Sequence, residues 1–265
     1  MRYLIIFFVV IACKSAKQTA VIKTANHSSL TGNAFYKQAV AMNWKERDSL
    51  AVSEILKGNM PEFLKKFVRI NTQITSANGK VIKAYYYVMP DYLSIGNDDD
   101  FARIPLTPMA AQQIADNFNC FLPTRKIVND IYDQAKVKPE PVPMYAFRDS
   151  SVTMWHHHLI IEGQRKDKKG LIAGIKKDVV ISDKLVTDGK ANRVAIYGWH
   201  KLDGNPIQPL YTGHVNWYVD YSHGIRLVYR TIWVNKKPMD YIKVLQDTAL
   251  QKLLCDEELC NVYRY

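Results

Sequence analysis

Cysteine is scarce in this 265-residue chain: there are four, and no Cys-x2-Cys pair. That is too few for a disulfide-built scaffold, so an apolar core has to hold the fold. No two histidines show the helical His-x3-His spacing of a zinc site. The acidic run Asn97-Asp98-Asp99-Asp100 lacks the alternating ligands and terminal Glu of a calcium loop. No repeat of roughly 20–50 residues is visible, which excludes a solenoid. The longest apolar run is far short of the ~20 residues a spanning helix needs. Acidic residues are outnumbered, 25 against 36 Lys and Arg, for a net charge of +11. The basic residues are spread out, densest at Arg165–Lys169, Lys176-Lys177 and Lys236-Lys237. No nucleic-acid partner is expected from them. The charge favours an anionic envelope glycan or lipid headgroup, beside the plain alternative of a solvated basic surface.

What is present begins at the N-terminus. Met1-Arg2 is a short basic start, Leu4–Ile11 is apolar throughout, and Ala12-Cys13 follows. This order describes a secretory signal over residues 1–12. The ending resembles a bacterial lipobox, which implies lipidation of Cys13 and attachment to a membrane through that lipid. Residues 13–32 are rich in Lys, Ser, Thr, Asn and Ala and read as a tether. Residues 33–265 are then expected to form one α+β domain, at 48% apolar residues overall. If Cys13 carries lipid, Cys255 and Cys260 are close enough in sequence to bridge, and Cys120 is left as an ordinary buried thiol.

Asn43–Ile70 reads as helical, with a break near Gly58–Pro61. Ala77-Asn78-Gly79-Lys80 is a hairpin signal ahead of a strand over Val81–Met89. Thr107-Pro108 starts a helix that runs to about Phe118, since Thr caps and Pro suits the first turn. Pro123-Thr124 starts another, with Ile127, Val128, Ile131 and Tyr132 on one face. Lys138–Pro143 holds three prolines in six residues and reads as a hinge. Beyond it, strands are expected at Val152–Glu162, Val179–Ser182, Arg193–Trp199, Val215–Tyr221 and Ile225–Val234. A last helix covers Asp240–Leu254. The expectation is a helical N-terminal half packed on a mainly antiparallel, β-rich C-terminal half.

The densest chemistry lies in Gly213–Arg230. Read as a strand, it places His214, Asn216, Tyr218, Asp220 and Ser222 on one face and Val215, Trp217, Val219 and Tyr221 on the other. His156–His158, Lys176-Lys177-Asp178, His200 and His223 add titratable groups on neighbouring predicted strands. For hydrolysis, His214 or His223 serves as general base, Asp220 orients it, and Ser222 or Cys120 is the nucleophile. His200, Lys177 and Asp178 complete the candidate catalytic set. Arg226, Trp199 and Tyr218 are candidate substrate contacts. Ser222 and His223 point apart on a straight strand, so a bend at Gly224 is required to join them. On His156–His158, a strand puts His156 and His158 on the face that Ile160 continues. No cofactor is expected. The alternative is zinc, held by His200, His214 and His223 with Asp220 or Asp178. Tyr85-Tyr86-Tyr87, Trp199, Trp217 and Tyr218 offer rings for stacking on sugars, or plain core packing.

Ser222-His223-Gly224-Ile225-Arg226-Leu227 resembles the Ser-His-Gly-Cys-x-Arg region of the LD-transpeptidases, which remodel peptidoglycan through a cysteine. Ile225 stands at the nucleophile's position, so no activity carries over. A wider set of segments resembles a group of uncharacterised exported microbial proteins. It runs from Pro105–Pro108 through Leu122–Thr124, Lys176–Val180 and Tyr197–His200 to Asp220–Gly224. That resemblance implies one coherent fold across the proline hinge and no reaction. The sequence therefore points to a lipid-anchored envelope hydrolase acting on peptidoglycan or a related polymer. Its alternative is a non-catalytic lipoprotein binding glycan or peptide.

Overall fold

Each of the first two helices starts where a side chain satisfies free backbone N–H groups. In the computed structural model, which describes Ile22, Thr24 and residues 30–166 and 168–265, Thr31 caps α1 (Gly32–Ala39). Asn43 and Glu46 form a reciprocal capping box on α2 (Trp44–Leu56). The signal segment and Cys13 lie outside the described residues. Within residues 13–32, Ile22 donates to Lys65 O and is buried in the core.

The break near Gly58–Pro61 is present, but no long helix follows it. A 3-10 turn over Glu62–Lys65 leads into β1 (Val68–Thr75), where Ile70 and Thr72 are buried and Arg69, Asn71 and Gln73 exposed. That alternation has the strand period and overrides the helical reading up to Ile70. β1 pairs with β2 (Val81–Val88) across the Asn78-Gly79 turn, in the register Thr75↔Val81 to Val68↔Val88. Gly79 supplies the left-handed residue the turn needs, at φ +80°. A short hairpin follows, β3 (Ser94–Gly96) with β4 (Phe101–Arg103). Thr107 and Pro108 then open α3 (Pro108–Asn117). After β5 (Cys120–Phe121), Thr124 caps α4 (Arg125–Gln134), which buries Ile127, Val128, Ile131 and Tyr132 as its spacing predicts.

The largest correction is Val152–Glu162. It is not a strand but the middle of α5 (Ser151–Arg165), capped by Ser150. Met154, His157, His158 and Ile161 are buried, an i, i+3, i+4, i+7 pattern. His157 and His158 therefore share the inner face, and His156 is exposed. Downstream come β6 (Lys177–Val180), the single-turn α6 (Lys184–Thr187), β7 (Ala195–His200) and β8 (Pro206–Tyr211). Val215–Tyr221 is not a strand either. Only Val215 bridges, to Arg193, and turns follow. Ile225–Val234 divides: β9 (His223–Gly224) precedes it, and β10 (Val228–Tyr229) and β11 (Thr231–Val234) lie within it. Lys237-Pro238 does not end the pairing but opens β12 (Lys237–Asp240), an edge strand where Pro238 is tolerated. The last helix is shorter than expected, α7 (Tyr241–Gln246), with a 3-10 turn at Gln251–Leu253.

The class is mixed α+β. The six-stranded sheet runs β12-β11-β2-β10-β5, with β1 on the other edge of β2. The four-stranded sheet runs β8-β7-β6-β9, antiparallel except for the β6–β9 pair. Helices and strands are interleaved along the chain rather than divided between its halves: β1 and β2 precede the proline segment and the longest helix, α5, follows it. Residues from Phe35 to Cys260, on both sides of Lys138–Pro143, share one apolar core. Cys255 and Cys260 are disulfide-bonded, and Cys120 is a buried free thiol. Among the described residues no helix is long and apolar enough to cross a membrane.

Candidate functional site

Strand β6 sorts the polar residues by parity. Lys177 lies opposite Gly198 of β7 and His223 of β9. Its ammonium sits 5.3 Å from the centre of the Trp199 ring. Lys176 and Asp178, one residue either side, face the other way. Two polar clusters result, one on each face of the four-stranded sheet.

The Lys177 face collects His214, Tyr218, Asp220 and His223 of the Gly213–Arg230 segment. Tyr218 N–H donates to Val215 O and His223 N–H to Asp220 O, so the chain turns twice instead of running straight. The Asp220 carboxylate fixes the second turn. Its Oδ1 accepts from Ser222 N–H at 2.8 Å and Ser222 Oγ–H at 2.5 Å. Its Oδ2 accepts from Arg148 Nη2 at 3.0 Å and from the Tyr218 hydroxyl at 3.4 Å. The His214 ring lies 4.7 Å from Tyr218 and 6.0 Å from His223. The structure gathers His214, Tyr218, Asp220, Ser222 and His223, with Lys177 opposite His223 and Trp199 beside Lys177, while His200 stays outside the group. Turns, not strand alternation, produce it.

The charges follow from burial. Asp220 is 0% exposed, which alone would raise its carboxyl. His223 when protonated, the two Ser222 hydrogen bonds and Lys177 outweigh that and hold it below the usual carboxylate range. Burial pushes the His223 imidazole down to about 4, against the pull of Asp220. Burial lowers His214 and Lys177 as well, less strongly. Among the described residues, His223 Nε2 is buried without a hydrogen-bond partner.

Three expected members lie elsewhere. His200 stacks on Tyr132 of α4 at 4.4 Å, with its Nε2 3.3 Å from Asn129 Oδ1. Asp178 accepts from the Tyr92 hydroxyl at 2.8 Å on the opposite sheet face, and burial lifts its carboxyl to about 7. Arg226, read as a substrate contact, is 1% exposed and donates to the carbonyls of Met89 and Ile172. Ser222 is in the cluster, but its hydroxyl donates to Asp220 rather than to an imidazole. Gly224 does not make the bend, which falls at Tyr221-Ser222. It is needed because the chain passes Tyr92 and Lys176 too closely for a side chain. The zinc alternative finds no assembled set, since among the described residues no three His, Cys, Asp or Glu are placed to hold a metal.

Arg148 was not foreseen. It lies in the irregular stretch after the proline segment, 72 residues from Asp220, and nothing local marks it. The second cluster was also missed. There Arg103 pairs with Asp91 and Glu162, and Lys176 lies 3.1 Å from His157 Nδ1. The helical spacing of Met154, His157, His158 and Ile161 was the signal that would have revealed the histidine side of it.

No family model matches the chain, and no curated protein or solved structure matches it at a significant level.

His223 gives the site a pH signature. Its folded-state value, about 4, lies below the 6.5 of an exposed imidazole. Between those two pH values the unfolded chain binds a proton that the folded chain does not, so stability is present above 6.5 and lost as the pH falls. The loss reaches on the order of 3 kcal/mol. Urea melts at neutral pH and near pH 4 are expected to show a smaller acid loss for His223→Gln than for wild type. Equal losses would show that His223 is not buried in its neutral form.

Proposed function

We propose that this chain is a lipid-anchored cell-envelope hydrolase acting on peptidoglycan or a related polymer. The observation that supports this most is the gathering of His214, Tyr218, Asp220, His223 and Lys177 around one ionised carboxylate, with Arg148 beside it. His214 is only partly buried and its imidazole is held below the usual value, so at neutral pH it accepts a proton. Cys120 is fully buried with its thiol pushed far up by burial. Ser222 is committed to Asp220. Water is therefore the nucleophile in this scheme. Its proton passes to His214 and then to the leaving group, while Lys177 and Arg148 face the negative charge that develops. Tyr218 and Trp199 serve as substrate contacts in this scheme. Lipid on Cys13 would keep this site near the polymer.

The test is His214→Ala, a change at a partly exposed side chain. The variant is expected to melt like wild type and to digest purified sacculi at least about a hundredfold more slowly. Digestion at the wild-type rate would remove the proposed role.

The near-complete burial of Asp220, Ser222 and His223 favours a second reading, a non-catalytic lipoprotein binding glycan or peptide. Under it, wild-type protein is retained on sacculi without releasing fragments, and His214→Ala alters retention alone.

A further inference from the structure

The outer face of the six-stranded sheet is a separate surface from the four-stranded sheet that carries Lys177 and His223. A cleft of about 730 Å³ opens there. Arg69, Asn71 and Gln73 of β1 line one side, and Lys83, Asn235 and Lys236 the other, with Tyr85 among the lining residues. Strand parity explains the lining. Asn71 pairs with Tyr85 and Gln73 with Lys83, all on the solvent side, while Ile70, Ala84 and Tyr86 fill the core. The wall on the β11–β12 side is set by the backbone: Asn235 N–H donates to Lys83 O, and Lys83 N–H donates to Asn235 Oδ1. Asn235 and Lys236 both hold left-handed φ values, +47° and +70°, which fix the hairpin tip beside Lys83.

Among the described residues, three cations line this cleft and no carboxylate does. Arg69 is pre-ordered. Its Nε donates to Asn71 Oδ1 at 3.0 Å, and its guanidinium lies 3.8 Å from the centre of the Tyr85 ring. Trp233 of β11, on the other edge of β2, stacks on Tyr85 at 5.2 Å and 4°. Both faces of Tyr85 are thus covered, one by Arg69 and one by Trp233. Among the described residues, the cleft offers ammonium, guanidinium and amide groups, and no free ring face on which a base can stack.

We infer that this cleft binds an anionic polysaccharide strand, with Arg69, Lys83 and Lys236 meeting its acidic groups and Asn71, Gln73 and Asn235 its hydroxyls. The covered ring sets it apart from a single-stranded nucleic-acid site, where exposed aromatic faces carry much of the affinity.

Titration of the whole protein with a labelled linear oligogalacturonate tests this. Binding is expected, weakening with added salt, with none for a neutral dextran oligomer of the same length. Arg69→Gln/Lys83→Gln/Lys236→Gln is expected to weaken binding by about tenfold or more. Lys83→Gln/Lys236→Gln, which keeps the Arg69–Tyr85–Trp233 stack, is expected to lose part of that. The inference is overturned if the oligogalacturonate does not bind, if the triple variant binds it as wild type does, or if oligothymidylate of equal charge binds as tightly.

Discussion

Arg103→Leu is expected to lower stability by about 3–5 kcal/mol, because it strands a buried carboxylate. Arg103 is 1% exposed and Asp91 is equally buried. The guanidinium holds Asp91 through two bonds, Nε to Oδ1 at 2.9 Å and Nη2 to Oδ2 at 2.6 Å. Burial pushes the Asp91 carboxyl up, and the charge and bonds of Arg103 overcome this and keep it below its ordinary range. Without the arginine, Asp91 must stay charged while buried and without its main counter-ion, or take up a proton. Glu162, the other partner at 2.7 Å, is about a quarter exposed and can turn to water. The cost therefore falls on Asp91. The Arg264–Asp116 bridge, at 2.8 Å, falls within the range of these distances, but both its side chains are well exposed. Such a pair contributes little, so desolvation and not distance decides the ranking. Urea unfolding of Arg103→Leu measures the loss. Asp91→Leu/Arg103→Leu is expected to recover most of it, since no lone charge is left behind. A single variant within about 1 kcal/mol of wild type would mean that Asp91 reaches water.

The same contrast between local and distant causes separates what the sequence made legible from what it did not. Thr107-Pro108, Thr124 and Asn78-Gly79 act on backbone groups within four residues, and the helices and the hairpin begin where those signals place them. The α5 segment carries β-branched Val152 and Thr153 and a run of rings, which favour a strand one residue at a time. The Ser150 cap and a buried stripe at helical spacing prevail. β9 is two residues long and pairs with a strand some 46 residues before it, as in Lys177↔His223. No local pattern announces such a pair. Within the candidate site, the residue types of Gly213–Arg230 were sufficient to bring out His214, Tyr218, Asp220 and His223. The strand geometry assumed for them was not, because the Asp220 carboxylate folds the chain back onto Ser222. His200 and Asp178 carry suitable chemistry but face other partners, and facing is settled by the sheet.

Gly224→Ala is expected to cost about 3 kcal/mol, at the upper end for overpacking, and to lower the melting temperature by roughly 6–12 °C. A Cβ at this position would stand 2.6 Å from Lys176 Cβ and 2.6 Å from two atoms of the Tyr92 ring. Neither neighbour is a free side-chain end. The Lys176 stem is tied to the backbone entering β6, and its ammonium is bound to Tyr221 O and His157. The Tyr92 ring is held by its hydroxyl on Asp178 and covered by the Arg226 guanidinium at 4.3 Å. The strain is relieved only if β9 moves off β6, and that separates His223 from Lys177. The substitution is therefore expected to damage the site at temperatures where the protein is still folded, seen as slower sacculus digestion if the chain is a hydrolase. Gly163→Ala is the matched control. Gly163 lies inside α5 with open space around its Cβ position, and alanine there is expected to be neutral or to stabilise by up to about 1 kcal/mol. A Gly224→Ala protein that melts with this control would show that β9 shifts at no cost. The pairing of β6 with β9 would then not be what holds His223 beside Asp220 and Lys177.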